Sequence, residues 1–144
     1  MKTILLSVAA LAWLAPALAQ VPTPAGLWTT ISDSTGKPEG LVRIEEIDGQ
    51  FHGTVVRVFS AAAPDPVCEL CEGALKNKPV VGMTILRGLR RDGDGYGGGT
   101  ILDPDEGREY RCAMALRDAG NRLEVRGFIG FPWFGRTQVW IRAN

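Results

Sequence analysis

Short apolar segments separated by turn residues follow one another along most of the chain, and within them apolar and polar positions often alternate. β-Branched and aromatic residues are concentrated in these segments, as is typical of strands with one buried face. The pattern predicts eight strands, at Gly26–Ile31, Gly40–Ile47, Phe51–Phe59, Val81–Arg90, Tyr96–Leu102, Glu109–Arg117, Arg122–Ile129 and Arg136–Arg142. It requires no helix of normal length, although one helical turn fits near Glu69–Leu75.

Turn residues between the predicted strands indicate tight connections. Asp48-Gly49 is the strongest hairpin signal, because a type I′ turn needs positive φ at both central residues. Aspartate, glycine and proline predict further turns at residues 92–95, 103–107 and 118–121. Short connections make successive strands antiparallel, and closing the sheet removes its unpaired edges. The sequence therefore predicts an all-β fold, a single antiparallel up-and-down β-barrel of about eight strands.

The first 19 residues are predicted to be a secretory signal peptide that is removed. Lys2 precedes an apolar run, Ile4–Leu14, and Ala17-Leu18-Ala19 supplies the small residues of a cleavage site. Residues 20–25 are then an extended leader, and residues 26–144 are the barrel domain. We expect a periplasmic or secreted protein without membrane insertion, and not a lipoprotein, because no cysteine follows the cleavage site.

One longer connection, Ser60–Lys78, interrupts the succession of hairpins and carries Cys68 and Cys71. In an oxidising compartment this pair favours a local disulfide. Redox activity would need a low-pKa thiolate, and zinc would need further ligands, for which only Cys112 and His52 remain. Alternation along its strand places Cys112 on an apolar face, so we expect a buried free thiol. The alternative is a disulfide with Cys68 or Cys71, which would tie the long connection to the barrel wall.

Charge and motif content exclude several kinds of function. The 16 basic and 16 acidic residues are interspersed, which favours neither nucleic acid nor a polybasic membrane contact. His52 has no nucleophile or orienting partner that can be assigned to it. The aspartate-glycine turns lack the spacing of a calcium loop. We predict no catalytic residue, no cofactor and no metal site, and hence no enzyme.

The last predicted hairpin differs from the others because its turn carries Phe131, Trp133 and Phe134. These aromatic residues either cover one end of the barrel, line the mouth of a ligand cavity, or form a contact patch. Arg126 and Arg136 lie close in sequence and are candidates for holding a carboxylate or phosphate head group. All five are therefore candidate ligand-binding residues.

Alternation also predicts the register of this hairpin. Val125 and Ile129 share an apolar face of one strand, and Val139 and Ile141 share a face of the next. Both faces meet one core only if the loop has an odd number of residues, which favours a loop at residues 131–135. That register pairs Val125 with Ile141, Arg126 with Trp140 through a cation–π contact, and Glu124 with Arg142 as an ion pair.

Gly26-Leu27-Trp28 opens the first predicted strand and Trp140-Ile141-Arg142 closes the last. These motifs resemble those of the lipocalin-like, or calycin, barrels. The resemblance implies that Trp28 plugs one end of the barrel and that Arg142 stacks on it.

A longer series of motifs covers Gly26–Arg142. It comprises, in order, Cys68-x-x-Cys71, Pro79–Met83, Gly98–Pro104, Gly107–Cys112, Arg126–Gly130 and Gly135–Gln138 followed by Trp140. This series resembles the secreted bacterial family known as domain of unknown function 2147. The resemblance implies an export signal and a small β-barrel, and it supplies no catalytic residue.

The sequence thus predicts a non-catalytic binder of a small apolar or amphipathic ligand at a barrel mouth, with the aromatic turn as its gate. One alternative is an envelope protein-interaction module with a solid interior, which docks a partner through Phe131–Phe134. Another is thiol redox or metal handling through Cys68 and Cys71. Exposure of Trp133 and the presence of a lumen separate the first two.

Overall fold

Eight antiparallel strands, hydrogen-bonded in sequence order, form a closed barrel because β8 also pairs with β1. The computed structural model describes residues 19–59 and 64–144, so the predicted signal peptide, but for Ala19, lies outside the described residues. The strands are β1 (Gly26–Ile31), β2 (Pro38–Ile47), β3 (Gln50–Val58), β4 (Thr84–Asp92), β5 (Gly95–Asp103), β6 (Arg108–Arg117), β7 (Arg122–Phe128) and β8 (Gly135–Arg142). The predicted up-and-down barrel is confirmed.

Helical structure within the described ranges is limited to two short 3-10 turns, Gly73–Leu75 and Asp118–Gly120. The first lies within the segment where one helical turn was expected. Across residues 19–59 and 64–144, no helix is long and apolar enough to cross a membrane.

The β2–β3 connection has the predicted type I′ character. Ile47 pairs with Gln50, which leaves only Asp48 and Gly49 between the strands. Their φ angles are 52° and 73°, so both central residues adopt the left-handed region. Because this conformation is encoded locally by Asp-Gly, it was accessible from the sequence.

The two ends of the barrel are formed by different connections. Those that follow β1, β3, β5 and β7 lie at one end, which we call the mouth. Those that follow β2, β4 and β6 lie at the other end, beside the start of β1 and the end of β8, and we call this the closed end. The long cysteine-bearing connection and the aromatic turn are therefore both at the mouth.

Large buried side chains fill the half of the barrel next to the closed end. Phe51 and Tyr96 meet edge to face there, with ring centroids 5.0 Å apart. At most 5% of each of these side chains is exposed: Trp28, Phe51, Leu89, Tyr96, Met114 and Leu123. Cys112 is 1% exposed, as its alternation pattern predicted.

The predicted register of the last hairpin is wrong. Phe128 pairs with Gly135, so the connection between β7 and β8 has six residues, an even number. Arg126 pairs with Thr137, and Leu123 pairs with Trp140. Glu124 lies opposite Val139, and its carboxylate forms an ion pair with Arg117 at 3.1 Å rather than with Arg142.

The predicted register is wrong because the opposite face of β8 is the buried one. Trp140 is 1% exposed, whereas Ile141 is 40% exposed, so the inward positions are Gln138, Trp140 and Arg142. The two polar residues of this face have specific partners: Gln138 accepts the indole N–H of Trp140 at 3.1 Å, and Arg142 contacts backbone carbonyls. Alternation of apolar residues therefore predicted the wrong buried face, because hydrogen bonds satisfy the polar side chains of the face that is buried.

Candidate functional site

A cavity of about 850 Å³ occupies the half of the barrel next to the mouth and opens there. Its apolar walls include Val42, Val55 and Val125, each at most 6% exposed, and Trp140. None of the large side chains that fill the closed end lines this cavity. A shallower depression of about 570 Å³ lies against the leader, outside the lumen. The cavity is the candidate functional site.

Polar side chains also line the lumen, among them Gln138 and Tyr110. Gln138 is half-buried, and its amide oxygen is held by the Trp140 indole. Tyr110 is also half-buried, and its hydroxyl donates a hydrogen bond to the Glu106 carboxylate at the mouth. This bond raises the pKa of Tyr110, as do desolvation and the Glu106 and Asp103 charges to a smaller extent, while the Arg108 charge acts in the opposite direction. The lining therefore combines apolar walls with polar groups in comparable amounts.

Arg136 crosses part of the mouth. Its Nε lies 3.1 Å from Asp33 Oδ2 in the β1–β2 connection, and its Nη2 lies 3.3 Å from Asp103 Oδ2 at the end of β5. Arg136 was a candidate for holding an anionic head group, and it does line the cavity. Its guanidinium is already engaged by two carboxylates, however, which weakens its attraction for a further anion.

Arg126 is placed differently from Arg136. Its Nη1 donates to Thr137 Oγ1 at 2.9 Å, and its Nε donates to the carbonyl of Pro132. Arg126 does not line the cavity. The structure thus assigns it to holding the aromatic turn against β7 and β8, and the two arginines do not form one anion site.

The aromatic turn is exposed. Trp133 is 67% exposed, and Phe131 and Phe134 are 57% and 65% exposed. The Phe131 and Trp133 rings stack with their centroids 4.7 Å apart. The centroids of the Trp133 and Phe134 rings are 6.1 Å apart. These rings are therefore not a buried lid. Phe134 and the neighbouring Ile129 line the cavity, whereas Phe131 and Trp133 do not.

Trp28 and Arg142 form the plug that the resemblance implied at the closed end. The Arg142 guanidinium lies 4.3 Å from the centre of the Trp28 ring. It donates to the carbonyls of Gly120 (2.7 Å), Ala25 (2.9 Å) and Thr23 (2.8 Å), while the Trp28 indole donates to Pro24 O at 2.8 Å. Burial lowers the pKa of Arg142, but the guanidinium remains protonated near neutral pH.

The predicted disulfide between Cys68 and Cys71 is present. Both cysteines are at most 2% exposed. Cys68 Sγ lies 3.2 Å from the carbonyl of Pro104, so the disulfide segment packs on the β5–β6 connection. Catalytic thiol exchange requires an accessible sulfur, and this burial argues for a structural role.

Cys112 is a buried free thiol, and burial raises its pKa to about 12. We expect the native protein to react with a thiol-specific disulfide reagent very slowly at about pH 8, because the nucleophilic thiolate is scarce and shielded. The absorbance of the released chromophore should correspond to one thiol, Cys112, after denaturation. Two more thiols, Cys68 and Cys71, should appear only after the disulfide is reduced. Rapid labelling of the native protein would contradict this assignment.

The other candidate metal and catalytic residues do not converge. His52 Nδ1 accepts the backbone N–H of Gly88 at 3.4 Å. Cys68 and Cys71 are bonded to each other, so they offer no thiolate pair to zinc. In the part of the chain that the structure describes, no group of three His, Cys, Asp or Glu side chains is arranged to hold a metal ion.

The closed eight-stranded antiparallel barrel is a lipocalin-like fold. Among solved structures, protein HP1028 from the human pathogen Helicobacter pylori, described as belonging to the lipocalin family, matches with a TM-score of 0.71. The match covers 88% of this chain and 85% of that one at 21% sequence identity, so it shows a common fold.

The chain belongs to the family described as "Uncharacterized protein conserved in bacteria (DUF2147)", whose model matches residues 26–142. A comparison with curated proteins gave no match. The family match covers the whole barrel, from the start of β1 to the end of β8.

Sequence reasoning missed the acidic groups at the mouth. Asp103, Asp105 and Glu106 were interpreted as turn residues in preference to a calcium loop, but all three line the cavity, as does Asp33 from another connection. The density of carboxylates at residues 103–106 was the available signal. To assign these carboxylates to the mouth, one must know at which end of the barrel each turn lies. The up-and-down topology is sufficient to specify that end.

Proposed function

We propose that this protein is exported and that it binds a small apolar or amphipathic ligand in the barrel lumen without catalysing a reaction. The observation that carries the proposal is the cavity of about 850 Å³, which is open at the mouth and walled by buried apolar side chains. Pockets that hold small molecules typically measure roughly 300–1,000 Å³. The sequence-predicted signal peptide supports export.

The chemistry of the lining supports a ligand with an apolar part. Each methylene group transferred from water to such walls contributes about 0.8 kcal/mol. Gln138 and Tyr110 provide hydrogen-bonding groups part-way along the wall. The aromatic turn contributes Phe134 and Ile129 to the rim of the cavity. Of the three aromatic residues predicted to form the gate, only Phe134 therefore lies at the cavity.

A substitution that fills the lumen tests this proposal. Gly127 lines the cavity, and a Cβ there would meet only side-chain atoms, Ile101 Cγ2 at 3.3 Å and Tyr110 Cβ at 3.5 Å. We expect Gly127→Trp to weaken binding of the neutral apolar dye N-phenyl-1-naphthylamine about tenfold or more, because the indole occupies the ligand's space. Fluorescence titration measures the affinity, and circular dichroism checks the fold.

Two control variants locate the effect. Val56→Trp places the same side chain at a position that is 38% exposed and outside the lining, and Trp133→Ala removes the exposed ring that does not line the cavity. Both should bind the dye like the wild type. Equal loss in Gly127→Trp and Val56→Trp would refute binding in the lumen.

The stacked and exposed Phe131 and Trp133 rings favour a second candidate, a docking patch for another envelope protein. The same titration separates the two functions. If the wild type shows no saturable dye binding, the lumen is not a ligand site and the docking function is the better explanation of the aromatic turn.

A further inference from the structure

The charged side chains that line the cavity are strongly unequal in sign. The side chains that line the cavity include seven carboxylates and two guanidinium groups. The carboxylates belong to Asp33, Glu39, Asp65, Glu69, Asp103, Asp105 and Glu106, and the guanidinium groups to Arg57 and Arg136. Because the whole chain carries 16 basic and 16 acidic residues, this excess of negative charge is a local property of the cavity lining.

The two arginines at the mouth already have partners. Arg136 is bonded to Asp33 and Asp103, and Arg57 lies over the Phe59 ring at 5.4 Å from its centroid. Over residues 19–59 and 64–144, the remaining five carboxylates of the lining form no ion pair with a lysine or arginine within 4.0 Å. Basic side chains lie nearby, since Lys76 Nζ donates to the carbonyl of Glu69 at 2.9 Å and Arg108 lies 5.8 Å from the centre of the Tyr110 ring. None of them, however, forms an ion pair with these five carboxylates.

The β5–β6 connection brings this charge to the lumen. Asp103 Oδ1 accepts the backbone N–H of Asp105 at 2.9 Å and that of Glu106 at 3.3 Å, which holds the three acidic residues together. Burial, and then the neighbouring Asp103 and Glu106 carboxylates, raise the pKa of Asp105. Glu106 also accepts the hydroxyl of Tyr110, whose ring lines the lumen. A cation at this point would relieve the repulsion among the carboxylates.

We propose that the ligand is a small cationic amphiphile, with its apolar tail in the lumen and an amine or quaternary ammonium head group among the mouth carboxylates. This inference rests on the proposed function, because the cavity must first hold a ligand. It reverses the expectation that Arg126 and Arg136 select an anion. The lumen provides affinity through apolar burial, and the mouth selects the sign of the head group.

The test compares decyltrimethylammonium with decyl sulfate, which share the same alkyl chain, below their micelle-forming concentrations. Each displaces N-phenyl-1-naphthylamine, and the ratio of their dissociation constants is measured. We expect the cation to bind about tenfold more tightly at low ionic strength, with the ratio approaching one at about 0.5 M salt because exposed charges are then screened.

A matched pair of double variants assigns the preference to the mouth. Asp105→Asn with Glu106→Gln removes two charges at the mouth while Gln can still accept the Tyr110 hydroxyl, and should lower the cation preference about threefold. Asp92→Asn with Asp94→Asn makes the same charge change at the closed end and should leave the ratio unaltered, because that turn is beyond the lumen.

The outcomes separate this inference from the proposed function. If the dye binds but the wild type prefers decyl sulfate, or shows no preference, the cationic ligand is refuted while lumen binding stands. Equal effects of the two double variants would also refute it, since the preference would then come from the overall charge. If neither the dye nor either decyl compound binds, lumen binding itself is refuted.

Discussion

Arg142→Ala is expected to lower the free energy of unfolding by about 3 kcal/mol, because it removes three hydrogen bonds and a cation–π contact at once. The carbonyls of Thr23, Ala25 and Gly120 lose their donors, and the Trp28 ring loses the guanidinium that covers it. Hydrogen bonds from a charged donor contribute about 1.5–3 kcal/mol each, and partial exposure of the side chain reduces the sum. Urea unfolding followed by circular dichroism measures the change.

Arg122→Ala is the matched control for Arg142→Ala. Arg122 also lies at the closed end, but it makes only an exposed ion pair with Asp118 at 3.5 Å, so its loss should cost at most about 0.5 kcal/mol. Arg142→Lys keeps the charge but cannot reach three carbonyls with a planar fork, and should fall between the two. Equal unfolding midpoints for Arg142→Ala and Arg122→Ala would show that the plug does not stabilise the barrel.

Gly107→Ala is the second substitution for which we expect a large effect, a loss of about 3 kcal/mol or more. Gly107 has a φ of 66°, and a Cβ there would lie 2.2 Å from the carbonyl carbon and oxygen of Leu70. Backbone atoms cannot move aside as a flexible side chain can, so the disulfide segment must shift off the β5–β6 connection.

Gly93→Ala is the control that separates two causes of destabilisation, the clash of the new Cβ and the strain of a positive φ. Gly93 has a similar φ of 57°, but a Cβ there would meet no atom within 4 Å, so only the left-handed strain of about 1 kcal/mol applies. Differential scanning calorimetry gives both values. The Cys68–Cys71 disulfide should also be reduced faster by dithiothreitol in Gly107→Ala. Equal destabilisation of the two variants would mean that the segment is not held by this close approach.

Features with local causes could be predicted from the sequence, whereas features with distant partners could not. The Asp48-Gly49 hairpin and the order of eight strands depend on residues close together in the chain. The buried face of β8 depends on Arg142, whose acceptors Thr23 and Ala25 lie more than 115 positions earlier. Alternation cannot reveal that such acceptors exist, so it favoured the β-branched face instead.

The candidate site shows the same division. The aromatic residues of the last connection were correctly placed at a barrel end, because any β7–β8 turn must lie at one end. Their exposure was not predictable, since a turn sequence does not show what packs against it. The ion pairs of Arg136 with Asp33 and Asp103 join three different elements at the mouth, and only the closed sheet brings these elements together.

The pairing of β8 with β1 also determines how the barrel can form. Every other ladder joins strands that are neighbours in the chain, whereas this one places Trp28 opposite Arg142. This ladder has the largest sequence separation of the eight, so its loop-closure entropy is the greatest and we expect it to form after the consecutive ladders. Until the last residues of β8 arrive, the chain is an open sheet with two unpaired edges, the state in which strand-to-strand aggregation begins. Arg142, at the end of β8, contacts Trp28 of β1 and so stabilises the ladder that removes both edges.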